Sequence, residues 1–131
     1  MIGLDTNVLL RYLLQDDEAQ GERAARAIDQ AALRNEQLFI SAVVLCEAVW
    51  VLESAYGYRK AALLDMLDQL LETSGFEIEQ RDRVRVALDD YRANKAGFAD
   101  CLIGRTNEAH GCRQTLTFER SLKTLDTFRL L

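Results

Sequence analysis

The sequence predicts an α/β protein built on a short-stranded, mostly parallel sheet flanked by helices. Three observations lead there. Strand-like runs of three residues recur at 2–4, 38–40, 76–78 and 115–117, and longer amphipathic stretches separate them. Strands alternating with helical patterns favour parallel pairing through crossover helices. Helix-capping residues and glycines fall where the amphipathic stretches begin and end. The chain has 131 residues, 49% hydrophobic and 28% charged. That length and composition suit one folded domain spanning 1–131 with one core.

Each element has a local reason. Residues 2–4 read as a buried strand. Asn7 is placed to cap a short helix over 8–14, and Asp16 or Asp17 to cap a helix over 19–34 that offers Ala24, Ala25, Ile28, Ala32 and Leu33 to a core. Residues 38–40 form the second strand. Ser41 is a good N-cap for a helix over 42–56, which Gly57 ends. The stretch 59–73 puts Leu63, Leu64, Leu67, Leu70 and Leu71 on one stripe, with Gly75 beyond it. Residues 76–78 are the third strand. Helices over 81–94 and 98–110 follow, the second closed by Gly111. Residues 115–117 are the fourth strand, 120–125 a short helix and 127–129 a fifth strand.

Bulk properties exclude several functions. The net charge is −5, so nucleic acid would not be held by overall charge and any such contact needs a local basic surface, a metal or a basic partner. Cys46, Cys101 and Cys112 are odd in number and form no CxxC pair, which argues against a disulfide framework and for a reducing cytoplasm. A single histidine, His110, cannot supply a zinc cluster and is expected to cap a helix end. No signal peptide is expected. No apolar stretch approaches the ~20 residues of a membrane span.

Four carboxylates stand out. Asp5 follows the first strand, Glu47 interrupts the apolar stretch 42–52, Asp100 lies in the first turn of the helix over 98–110, and Glu119 follows the fourth strand. A carboxylate in apolar sequence is costly unless paired. Two unit charges about 4 Å apart repel by about 4 kcal/mol at an effective dielectric of 20. A fold that gathers such groups is expected to hold a cation, and oxygen-only donors suit a hard one, magnesium or manganese. Ligands of open α/β sheets sit at the carboxyl ends of strands, where Asp5 and Glu119 fall.

Each has an ordinary explanation too. Asp5 would be a turn or cap residue, but Asn7 is better placed to cap. Glu47 has Val43, Val44, Trp50 and Val51 at three and four positions, so it is not expected on a solvated face. Asp100 suits a helix start by the dipole alone, and Glu119 suits a cap. The neighbouring Thr6, Asn7, Ser41 and Thr117 are expected to satisfy turns and caps and to steady a carboxylate or a metal-bound water. Arg81, Arg83, Arg85, Arg92 and Lys95, with Arg120 and Lys123, read first as solvated faces and second as phosphate contacts. Tyr12, Trp50, Tyr56, Tyr58 and Phe98 are expected in the core or at interfaces.

Together, Asp5-Thr6-Asn7, Glu47, the run from Phe98 to Ile103 and Thr117-Phe118-Glu119 resemble the PIN domain, in particular the VapC-like toxins of bacterial toxin–antitoxin systems. The resemblance covers the whole chain. It implies a three-layer fold, a magnesium-dependent ribonuclease (Mn2+ as substitute), a homodimer, and an antitoxin whose basic C-terminal arm covers the site. The acidic set it implies is Asp5, Glu47, Asp100 and Glu119. Two departures stand out: the family usually has Asp at the position of Glu119, and many relatives have Asp at the position of Gly97. Two ions about 4 Å apart can clamp both oxygens of a phosphodiester displacement. No Ser–His–Asp or Cys–His arrangement competes. The alternatives are a metal- or RNA-binding module without catalysis, and a phosphoryl-transfer domain on a similar sheet. Asn7 stands where a dehalogenase-type phosphatase needs a second Asp.

Overall fold

The computed structural model describes all residues from 1 to 131 and divides into two compact units, Met1–Glu79 and Gln80–Leu131. The first contains β1 (Ile2–Gly3), α1 (Thr6–Leu14), α2 (Glu18–Leu33), β2 (Leu38–Ile40), α3 (Ala42–Ser54), α4 (Lys60–Glu72) and β3 (Phe76–Ile78). The second contains α5 (Arg81–Ala93), α6 (Phe98–Ala109), β4 (Thr115–Thr117), a 3₁₀ turn (Arg120–Leu122) and β5 (Phe128–Leu130). The alternation of strands and helices is as expected, with most boundaries moved by at most two residues; the short helix expected over 120–125 is instead a 3₁₀ turn that ends at Leu122.

Every strand pairing is parallel. In the first unit the order is β1-β2-β3, with Ile2 opposite Leu38 and Leu38 opposite Phe76. In the second, β4 pairs with β5, Thr115 opposite Phe128. Leu38, Ile40, Phe76 and Ile78 are buried, as are Leu45, Ala48, Leu52, Leu63 and Leu67 of the covering helices. Parallel strands need helical crossovers, and those helices bury the strand faces. In the second unit α5 packs on α6; Val84, Leu88, Phe98 and Leu102 are buried, and Tyr91 lies edge-on to Phe98 at 6.1 Å between ring centroids. Gly111 (φ +90) turns the chain after α6, in a backbone region closed to most side chains.

Four sequence expectations change. The first strand is not buried: β1 is an edge strand, and Ile2 and Gly3 are both exposed. The buried stripe of α2 is Gly21, Ala24, Ile28 and Ala31, whereas Ala32 and Leu33 face solvent. That stripe has helical spacing and packs toward α1; at Gly21 an added Cβ would meet the Gln15 side chain at 2.9 Å and lie 3.5 Å from the Arg11 carbonyl, so a residue without a side chain fits. In α4, Leu64 is only half-buried, and the buried stripe is Leu63, Leu67, Leu70 and Leu71. In α3, Val43 and Trp50 are 67% and 68% exposed, so this helix has an apolar outer face. No helix is long and apolar enough to cross a membrane.

Candidate functional site

The first unit places two of the four carboxylates. β1 and β2 lie side by side and parallel, so their carboxyl ends share one sheet edge. Asp5 follows β1 and Ser41 follows β2. Asp5, not Asn7, is the N-cap of α1: it has extended backbone (φ −86, ψ 170), and its Oδ1 accepts from the Val8 N–H at 2.9 Å. The helix starts two residues earlier than the apolar pattern indicates, because Thr6 and Asn7 join its first turn. Asp5 therefore has a structural task as well as an exposed carboxylate.

Glu47 is exposed on the same outer face of α3 as Val43 and Trp50. The sequence puts this face among apolar neighbours and so suggests burial; packing leaves it open. Glu47 Oε1 accepts from Thr6 Oγ1 at 3.1 Å, a link between α3 and the start of α1. Ser41 caps α3 by accepting from the Val44 N–H at 3.2 Å. Glu79 Oε1 accepts from the Ala42 N–H at 2.8 Å, so a carboxylate with no distinguishing sequence signal satisfies the start of this helix. Asn7 is exposed and lines a recess of about 330 Å³ with Val8, Arg11, Gln20 and Arg23.

The second unit places the other two. Asp100 is the third residue of α6, whose N-cap Gly97 has no side chain to offer. A Cβ added at Gly97 would lie 3.8 Å from Asp100 Oδ2, so an Asp at this position would add a carboxylate beside it. Asp100 is half-buried and accepts no hydrogen bond. Loss of solvent, then the charge of Glu119, holds its carboxyl above the usual value for aspartate. The positive end of the helix dipole would pull the other way. Here desolvation and like charge win.

Glu119 is exposed and takes a cap position: its Oε1 accepts from the Ser121 hydroxyl at 3.1 Å and from the Ser121 N–H at 3.3 Å. Thr117 Oγ1 accepts from the Glu119 N–H at 3.0 Å, which fixes the chain just past β4. No sequence signal marks Ser121, since its role depends on the 3₁₀ turn. None marks Arg105 either. Its guanidinium grips Asp90 of α5 by two bonds of 2.6 and 2.8 Å and reaches Glu108 at 3.1 Å, which ties α6 to α5.

The remaining candidates have other tasks. Cys46, Cys101 and Cys112 form no disulfide, and burial raises the Cys46 thiol. His110 ends α6 through its backbone N–H. Phe98 is buried as expected, Tyr12 packs edge-on to Phe76, and Tyr56 donates its hydroxyl proton to Asp16. Each unit thus carries one carboxylate pair. No three His, Cys, Asp or Glu side chains are grouped so as to hold a metal ion by themselves. The donor chemistry nonetheless fits a hard cation: all donors are oxygens, and Asp100 is a half-buried carboxylate with no donor of its own.

The sequence model of the PIN domain family matches residues 2–127, across both units. A VapC ribonuclease of Aquifex aeolicus (strain VF5) is 27% identical over 122 residues, covering 93% of this chain and 90% of that protein. With a family match over nearly its full length, and acidic residues past β1, on α3, at the start of α6 and past β4, this chain belongs to the PIN domain family.

Proposed function

We propose that the protein is a metal-dependent endoribonuclease, the toxin of a toxin–antitoxin pair. Asp100 carries this reading. A half-buried carboxylate, unpaired and beside a second carboxylate, is poised to gain from a divalent cation. The similarity to a VapC ribonuclease supports RNA as the substrate.

The residues that would hold the ion are Asp5, Glu47, Asp100 and Glu119. Magnesium, or manganese in its place, supplies a bound water of lowered pKa and offsets phosphate charge. The chain's own residues do the rest. Thr6 orients Glu47 by donating to Oε1, and Ser121 orients Glu119 from two donors. Asp5, anchored at the start of α1, cannot drift from the sheet edge without uncapping that helix. Asp100 sits in the first turn of a rigid helix, so its reach is short and its direction set. The longer arm of Glu119 suits contact through a water. The protein acts in the cytoplasm, as a homodimer and as one functional domain, and an antitoxin with a basic C-terminal arm restrains it by charge complementarity with the acidic set.

Purified protein freed of partner should cleave single-stranded RNA with magnesium or manganese, lose cleavage in EDTA and regain it on adding either ion. Cleavage at full rate in EDTA would overturn the metal mechanism.

A further inference from the structure

The second unit carries a basic recess on an otherwise acidic protein. It has a volume of about 340 Å³ and lies between the end of α5 and the 3₁₀ turn, with Lys95, Arg120 and Lys123 on its walls and Asn94, Ser121 and Thr124 among them. No acidic residue lines it. Thr124 Oγ1 donates to Asn94 Oδ1 at 3.0 Å and so fastens one wall to the other. We propose that this recess is a phosphate-binding subsite that seats the backbone of an RNA strand beside the Asp100 and Glu119 pair. The inference rests on the ribonuclease reading and deepens it.

Three observations converge. The side chains of Lys95, Arg120 and Lys123 make no hydrogen bond or ion pair, and all three are exposed. Elsewhere in the same unit the fold does neutralise a cation: Arg105 is engaged by Asp90, Glu108 and Asp126. A single cation would answer the partial charge at the end of α5, whereas three exceed it. Three free cations around one recess repel each other until an anion enters.

The recess also adjoins the carboxylates. Ser121 belongs to its lining and donates to Glu119 Oε1, Arg120 follows Glu119 directly, and Lys95 leads into the turn before α6, whose first turn holds Asp100. A strand with one phosphate in the recess would carry a neighbouring phosphodiester toward the pair. The local positive charge also answers the difficulty posed by a net charge of −5: the strand needs an attractive foothold next to a repulsive acidic pair. Asn94, Ser121 and Thr124 supply the polar groups that commonly accompany Lys and Arg at phosphate contacts.

The test is RNA binding as a function of salt. A fluorescent single-stranded RNA of about 12 nucleotides, within the span of single-strand sites, is titrated in EDTA so that no cleavage occurs. Log affinity should fall linearly with log salt for the wild type. The double variant Lys95→Gln/Lys123→Gln should flatten that slope by about 1.4, at about 0.7 per lost phosphate contact, and Lys95→Arg/Lys123→Arg should restore it. Arg113→Gln/Arg129→Gln removes the same charge outside the recess and should leave the slope unchanged. In magnesium, the recess variant should raise KM more than it lowers kcat. An unchanged slope in the recess variant, or an equal change in the control, overturns the subsite. A polyglutamate peptide that binds as tightly as RNA, and loses binding in the same variant, would overturn RNA as the occupant. Salt-dependent RNA binding that needs the recess, without cleavage in magnesium, would keep the subsite and remove the ribonuclease; cleavage with an unaltered slope would do the reverse.

Discussion

The two carboxylate pairs differ in what holds them. In the first unit both acids have donors: Asp5 caps α1 through the Val8 N–H, and Glu47 takes the Thr6 hydroxyl. Both are exposed, and each is part of how α1 and α3 begin or meet. In the second unit Glu119 has Ser121, but Asp100 has no donor and sits half-buried beside a like charge. The first pair is therefore built into the fold's own hydrogen bonding. The second is held in an unfavourable state that protonation or a cation would relieve. Structural service and readiness for chemistry are separate properties, and exposure alone distinguishes neither.

The largest expected effect divides the pairs by mutation. Asp100→Asn and Asp5→Ala should each lower the proposed cleavage about a hundredfold or more. Their stabilities should part. Asp5→Ala loses an N-cap and should cost about 1 kcal/mol in urea unfolding. Asp100→Asn removes a poorly solvated charge and should melt no lower than the parent without metal. Equal destabilisation by the two variants would mean that the two pairs are held alike.

A pH series sharpens the comparison with opposite signs. The Asp100 carboxyl is raised in the folded protein, so the folded state holds its proton more tightly than the unfolded chain. That stabilisation is full below the unfolded value and disappears as pH rises through the folded one. In EDTA, Asp100→Asn should therefore gain on the parent as pH rises through the acid range, then level off. Asp16 of the first unit behaves in the reverse sense. The Tyr56 hydroxyl first, and Arg11 after it, hold its carboxyl below the usual value. Its contribution is present above the unfolded value and is lost as pH falls through the folded one, so Asp16→Asn should converge on the parent at low pH. Chemical denaturation between about pH 3 and pH 7 reads both slopes.

The smallest effect probes the link within the first pair. Thr6→Val keeps shape and removes the bond to Glu47. Stability should fall by less than about 1 kcal/mol, because the group is exposed. Cleavage should fall about tenfold, because Glu47 loses its orientation. A Thr6→Val protein that cleaves as fast as the parent would make that hydrogen bond incidental.

The sequence by itself determined the alternation of strands and helices, the parallel class of the pairing, the cap of α3 by Ser41 and the ordered set of four acids. These are local or periodic signals: capping oxygens, glycines past helix ends, apolar runs too short for anything but strands. Only the tertiary structure decided the rest. It gave the cap of α1 to Asp5, because the first turn takes in Thr6 and Asn7. It turned the Val43, Glu47 and Trp50 face of α3 outward, because hydropathy reports how apolar a face is and not whether a partner covers it. It brought Ser121 to Glu119, Arg105 to Asp90, and Lys95 to a recess shared with Arg120 and Lys123. Those pairings join residues across turns and between helices. Sequence spacing carries little information about them, because the geometry of each turn sets which side chains meet.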